Sequence, residues 1–243
     1  MILLGMALAP VITIVFYIIA KDKYNKEPFA HLFVSFLLGI ASTVPAIIIQ
    51  LTIKSRAETY FASASIAYYA VFAFVAVGFS EEFSKFFMLR FYAYRQKAFD
   101  EPLDGIIYGV MVSMGFASLE NIMYVMQFGY GTALARMFLS VPAHACFGVM
   151  MGYYTGLAKF EQARSRTLLR KGLLLAVFFH GCYDFFLFIQ QNALVSRFIS
   201  GGLLSLGSVV SLYVAVRLSL RAIHLHQELS RIEFERQRRL SSL

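Results

Sequence analysis

Residues 66–90 read IAYYAVFAFVAVGFSEEFSKFFMLR, an apolar run long enough to cross a bilayer that nevertheless holds Glu81, Glu82 and Lys85. The three apolar runs that follow repeat the anomaly, with Glu120 in the first, His144 in the second, and His180 and Asp184 in the third. A charged side chain at mid-membrane costs about 2.5–3.5 kcal/mol on insertion scales. Five formal charges would together cost on the order of 15 kcal/mol if none were paired or hydrated. The chain therefore reads as all-α, a polytopic integral membrane helix bundle that encloses a polar chamber.

Composition agrees. The 243 residues are 59% hydrophobic and 15% charged, with a mean hydropathy of +0.66. A soluble domain of this size cannot hide so much apolar surface. Seven runs match the 30 Å hydrocarbon core, near 2–20, 30–53, 66–90, 105–128, 133–158, 168–190 and 199–220. The net charge of +8 raises nucleic-acid binding as a class, but the basic residues fall in the short gaps between runs. Lipid headgroups and the positive-inside rule account for them there, so the bilayer is the expected partner and no nucleic acid is.

With the N-terminus outside, inner segments hold 17 of the 22 basic residues, and outer ones hold Lys54, Arg56, Arg136 and Arg197. This asymmetry predicts a multi-pass protein of the cell membrane with a cytoplasmic C-terminus. An eighth span or re-entrant segment at 186–205 is the alternative, and it would reverse the tail. Lys21, Lys23 and Lys26 follow the first apolar run instead of preceding it, the order of a retained anchor and not of a cleaved signal peptide. No gap can hold a second folded unit, so 1–243 reads as a single membrane domain with its motif-bearing spans at about 66–190. From Arg221 the basic residues alternate with Ile223, Leu229, Ile232 and Phe234, and 221–243 reads as an amphipathic basic tail on the inner leaflet, or else as a solvated helical extension. Cys146 and Cys182 lie in apolar runs and read as small buried side chains, not as a disulfide.

On a helix, Glu81 and Lys85 are four apart and share a face, while Glu82 is three from Lys85, so the lysine can reach either acid. Adjacent residues point about 100° apart, so the two glutamates cannot enter a site identically. A single helix-tying salt bridge would explain one acid and the lysine, but not the second acid. Glu120 follows the small residues Gly115, Ala117 and Ser118, which allow a close neighbouring helix and could bring it toward the third span's acids. Two carboxylates brought close leave one able to carry a proton, and Asn121 offers an amide donor. Pro142 is expected to kink the fifth span just before His144, with Gly148 leaving room on the histidine's face. Asp184 lies one turn from His180, placed to orient its ring. Counted from their span ends, Glu81, Glu120, His144 and His180 all fall within about 10 Å of mid-depth. For each, the plainer reading is an interhelical hydrogen bond.

These stretches also resemble a known family. Glu81–Lys85 (EEFSK) is similar to an EExxK motif, residues 115–121 (GFASLEN) to FxxxEN, residues 144–148 (HACFG) to HxxxG, and residues 180–184 (HGCYD) to HxxxD. All four in order resemble PrsW, bacterial intramembrane proteases related to the type II CAAX prenyl endopeptidases. The resemblance implies a glutamate-dependent intramembrane protease acting on membrane-anchored proteins, with site-1 cleavage of an anti-sigma factor as the associated role. Lys85 stands three after Glu82 where the CAAX group has an arginine four after, and Glu120 replaces a histidine. Prenylated C-termini are therefore not the expected substrate.

The catalytic set expected is Glu81, Glu82, Glu120, His144 and His180, supported by Lys85, Asn121 and Asp184. Glu81 or Glu82 would activate water, and Lys85 would hold the other. His144 and His180 would stabilise the oxyanion or protonate the leaving amine, and Glu120 would share proton transfer. This scheme needs no cofactor. A zinc protease using His144, His180 and Glu120 as ligands is the alternative, weakened by the missing HExxH. A proton- or cation-coupled transporter or receptor is the reading from another class, though no internal repeat supports it. The sequence shows neither the particular substrate nor the oligomeric state.

Overall fold

The structure is a computed structural model that describes residues 1–62 and 65–240. Among the described residues there is no strand, and seven helical stretches are long and apolar enough to cross a membrane: Ile2–Ile19, Phe29–Tyr60, Ile66–Arg95, Pro102–Phe128, Tyr130–Phe160, Gln162–Gln191 and Gly201–Leu240. Each coincides with one of the seven expected runs. Residues 186–205, the candidate eighth span, hold instead the end of the sixth stretch, a short helix at Ala193–Phe198, and the start of the last stretch.

Prolines set several breaks. The second stretch is two helices, α2 (Phe29–Ala41) and α3 (Thr43–Tyr60), and the first is α1 (Ile2–Ile19). A proline ring clashes with the carbonyl four residues back, and for Pro45 that residue is Ala41, the last of α2. The third stretch comprises α4 (Ile66–Val71), a π-helical segment Phe72–Phe79, and α5 (Ser80–Phe91). The fourth is one helix, α6 (Pro102–Phe128), opened by Pro102 at its first position and a reciprocal cap between Glu101 and Asp104.

The fifth stretch corrects an expectation. Pro142 does not kink a continuous helix: α7 (Tyr130–Phe138) ends four residues before it, and α8 (Ser140–Phe160) begins with Pro142 in its first turn, where a missing N–H costs no helical bond. The break falls at Leu139. Then come α9 (Ser165–Phe188), α10 (Ala193–Phe198) and α11 (Gly201–Leu240). The basic tail starts within α11 at Arg221 and continues it without interruption to Leu240, while 241–243 lie outside the described residues.

Helix α6 is the centre of the bundle, with 78% of its apolar window buried, and it packs on α8, α2 and α1. Gly105, Gly109, Gly148, Gly152 and Gly156 bring α6 and α8 into backbone contact, and a Cβ added at Gly109 would stand 2.6 Å from the Gly148 carbonyl oxygen. Gly115 was expected to admit the third span, yet it meets the Phe36 carbonyl of α2. Large apolar side chains such as Phe16, Phe29, Leu51, Phe87, Phe178 and Leu203 stay exposed around the rim, as a lipid-facing surface requires. The end of the bundle carrying the N-terminus is called upper below.

Candidate active site

Just after the π-helical segment, Ser80 donates to Ala76 O and Val77 O, and Ser84 donates to Ser80 O. The hydroxyls are thus satisfied within their own helix, which leaves Glu81, Glu82 and Lys85 to face the neighbouring helices. Lys85 Nζ donates to Glu82 Oε1 at 2.7 Å, lies 3.0 Å from His144 Nδ1 and 3.6 Å from Glu81 Oε2, and sits 4.1 Å above the Phe116 ring. An ammonium group can only donate, so His144 Nδ1 accepts and the ring proton belongs on Nε2. That Nε2 donates to Glu120 Oε2 at 2.9 Å.

On the other side, Glu82 Oε1 meets His180 Nδ1 at 2.8 Å, and His180 Nε2 meets Asp184 Oδ2 at 3.2 Å. Both ring nitrogens face carboxylate oxygens, so the doubly protonated ring is the form that satisfies both. The His180 ring stacks on Phe147 with centroids 4.9 Å apart. One unbroken chain of polar contacts therefore runs from Glu120 through His144, Lys85, Glu82 and His180 to Asp184, across α5, α6, α8 and α9.

The two glutamates differ sharply. Glu82 is 0% exposed and bridges Lys85 and His180. Glu81 is 5% exposed and lines a cavity of about 510 Å³. Among the described residues its Oε2 has no hydrogen-bond partner, with Lys85 and the His180 Nε2 only at 3.6 and 3.9 Å. Glu120, His144, His180 and Asp184 line the same cavity. Its walls come from 43–51 of α3, 72–81, 116–127 of α6, 136–147 and 180–188, which is the middle and upper part of each stretch. Met123 and Leu51, both exposed, mark where it reaches the surface.

Seven of the eight expected residues converge. Asn121 does not: its amide donates to Ala7 O of α1 at 2.7 Å, it is 0% exposed, and it is absent from the cavity wall. Among the described residues, Glu81, Glu82, His144 and His180 are buried and bring donor atoms within 4.8 Å of one another, a group that shares both histidines with the alternative zinc set but does not include Glu120. Two imidazoles and two carboxylates are a donor set suited to a divalent transition metal, and the unpartnered Oε2 atoms of Glu81 and Glu82 fit it. Lys85 already supplies one cation among these groups. Cys146 and Cys182 are both free thiols.

Arg136 was read only as a basic residue of an outer segment. Its Nη2 donates to Glu120 Oε2 at 2.5 Å, its Nε to Asn121 Oδ1 at 2.7 Å, and its guanidinium lies 4.3 Å from the Tyr124 centroid. The available signal was its side: a basic residue in an upper segment runs against the charge asymmetry of the rest of the chain.

Acids, imidazoles and an ammonium group gathered beside a cavity, within a bundle of seven apolar spans, define a polytopic membrane protein equipped for acid–base chemistry on a bound substrate. Residues 27–218 match the family described as PrsW family intramembrane metalloprotease. The chain is 39% identical over 190 residues to Protease PrsW of Geobacillus kaustophilus, covering 78% of this chain and 81% of that one. It is 36% identical over 194 residues to the Bacillus subtilis protein of the same name (78% and 84%) and 34% identical over 193 to that of Clostridioides difficile (77% and 79%). The chain belongs to the PrsW family and is an intramembrane peptidase. No solved structure matches it.

Proposed function

We propose that this peptidase cleaves membrane-anchored proteins by water attack, with Glu81 as the general base. The observation that carries this is Glu81 on the cavity wall, 5% exposed, beside a Glu82 that is 0% exposed, absent from that wall, and bonded through Oε1 to both Lys85 and His180. A base must be within reach of water and not already consumed by other donors. Lys85 and Glu82 act on substrate only through the groups they hold. His180 is fixed at Nδ1 by Glu82, and its Nε2–H, held at 3.2 Å by Asp184 on the cavity wall, would turn from that carboxylate to a developing oxyanion or leaving amine. His144 presents its Nε2–H between Glu120 and the cavity, and Glu120 takes part in moving that proton.

The charge asymmetry of the loops supports an orientation with the upper end of the bundle outside the cell and the C-terminus in the cytoplasm. On that orientation the cavity serves a scissile bond in the outer half of the membrane or just above it. A first, site-1-type cut of a single-span protein such as an anti-sigma factor fits this geometry.

A second reading is favoured by the four clustered donor atoms of Glu81, Glu82, His144 and His180. These residues would hold a zinc-like ion, which would supply Lewis-acid polarisation and a more acidic bound water.

The deciding experiment is cleavage of membrane-anchored candidates by the purified protein in lipid, wild type beside Glu81→Gln, with and without chelator, together with metal analysis. Chelator-resistant cleavage that falls about 10²–10⁴-fold in Glu81→Gln supports the glutamate mechanism. Full activity of Glu81→Gln removes it. Stoichiometric metal, lost together with activity on chelation, selects the second reading.

A further inference from the structure

Helix α7 is a nine-residue element hung between two breaks. Gly129 precedes it with φ +80°, a left-handed conformation that favours glycine, and Leu139 follows it with φ −117° and ψ −69°. Tyr130, Leu134 and Phe138, each one turn from the next, leave it with an exposed apolar stripe, while Ala133 is fully buried against Ala7 and Val125. From its remaining face Arg136 reaches one turn of α6 and spans Glu120, Asn121 and Tyr124. Asn121 is in turn tied to Ala7, so one guanidinium fastens α7 to α6 at a point where α1 is also fixed.

The contact with Glu120 is the informative one. Oε2 of Glu120 accepts from both Arg136 Nη2 and His144 Nε2. Among the described residues Nε2 of His144 has no other partner, and its Nδ1 is taken by Lys85. The direction in which His144 presents its proton therefore depends on where the Glu120 carboxylate stands, and Arg136 fixes that carboxylate in two ways, by its own bond to Oε2 and by bracing the next residue, Asn121. A fork-shaped, permanently charged donor suits this task better than a lysine, which offers a single point of charge.

We infer that Arg136 is a positioning residue of the active site, holding Glu120 so that Glu120 can hold His144. This rests on the proposed working role of His144. It assigns to α7 a part in catalysis beyond connecting two spans.

The test compares wild type, Arg136→Gln, Arg136→Lys, Glu120→Gln and the Arg136→Gln/Glu120→Gln double variant in lipid, by steady-state cleavage and by nitrogen NMR of ring-labelled histidine. Arg136→Gln is expected to lose roughly 10²-fold in kcat, the scale of a misplaced catalytic group, with KM within about threefold. Arg136→Lys recovers part of the loss, and Arg136→Gln adds little once Glu120→Gln is present. The His144 Nε2 resonance moves in Arg136→Gln as it moves in Glu120→Gln. Wild-type kcat in Arg136→Gln, a loss confined to KM, or full additivity in the double variant overturns the inference. An unmoved Nε2 resonance overturns it too, even where no substrate is cleaved, and where Arg136→Gln does not fold the same resonance is read in Arg136→Lys. Normal cleavage by Glu81→Gln would remove the base assignment and leave these outcomes to decide Arg136 separately.

Discussion

The lower and upper halves of the α6–α8 pair show two opposite ways of treating the same membrane depth. Below Ser113 the helices touch backbone to backbone, and Gly105, Gly109, Gly148, Gly152 and Gly156 leave no space between them. Above it, Phe116, Glu120 and Met123 on α6 face Arg136, Ser140 and His144 around the cavity. Ser113 stands at the boundary, donating to the His144 carbonyl at 2.6 Å. Residue size along one helix pair thus decides where the bundle is sealed and where it is hollow. The charged side chains that oil would reject collect where it is hollow.

Three substitutions probe that contrast. The largest effect is expected just behind the cavity wall: Glu82→Gln leaves Lys85 with a diminished counter-charge in a wholly buried site. A broken buried pair costs about 3–5 kcal/mol. Thermal unfolding in lipid should show that loss, with cleavage falling alongside; an unchanged midpoint would mean that water reaches Lys85. Next is Gly152→Val in the sealed half, where the added side chain overlaps Gly105 O and Ile106. Overpacking costs about 1–3 kcal/mol, and by prising the pair apart it should also lower kcat per folded molecule. If stability falls while kcat holds, the sealed half does not set the width of the cavity.

The smallest effect lies at the lower end, where Glu27 accepts from Tyr108 and sits near Asp22 and Asp100. Burial, with the neighbouring acids adding to it, pushes Glu27 up to about 7 from an ordinary value of 4.5. Its folded form then binds a proton that the unfolded chain has released. Stability from this group is therefore greatest below about pH 4.5 and declines as pH rises toward 7. Glu27→Gln, which keeps an acceptor for Tyr108, should flatten the unfolding profile across that window. An unaltered slope would assign it to other groups.

Much of this was legible because the membrane makes ionisable residues expensive: Glu81, Glu82, Lys85, Glu120, His144, His180 and Asp184 stand out against their surroundings without any structure. Seven spans were legible for the same reason. Partners were not. Asn121 reads as a free donor until α1 is seen to occupy it, and Gly115 reads as an opening toward the third span until α2 fills it. Arg136 was hidden by the rule that explained the other basic residues, since a charge near a span end looks like topology. Pro142 was read at the right place with the wrong consequence, because whether a proline kinks a helix or starts one depends on the residue four before it.

The π-helical turns at Phe72–Phe79 bear on how such a site survives changes around it. A π turn takes up an extra residue within a helix, so the register above it is not rigidly geared to the register below. A residue gained or lost above the segment is therefore a change that one π turn more or fewer would absorb, leaving Glu81 and Glu82 aligned with His180.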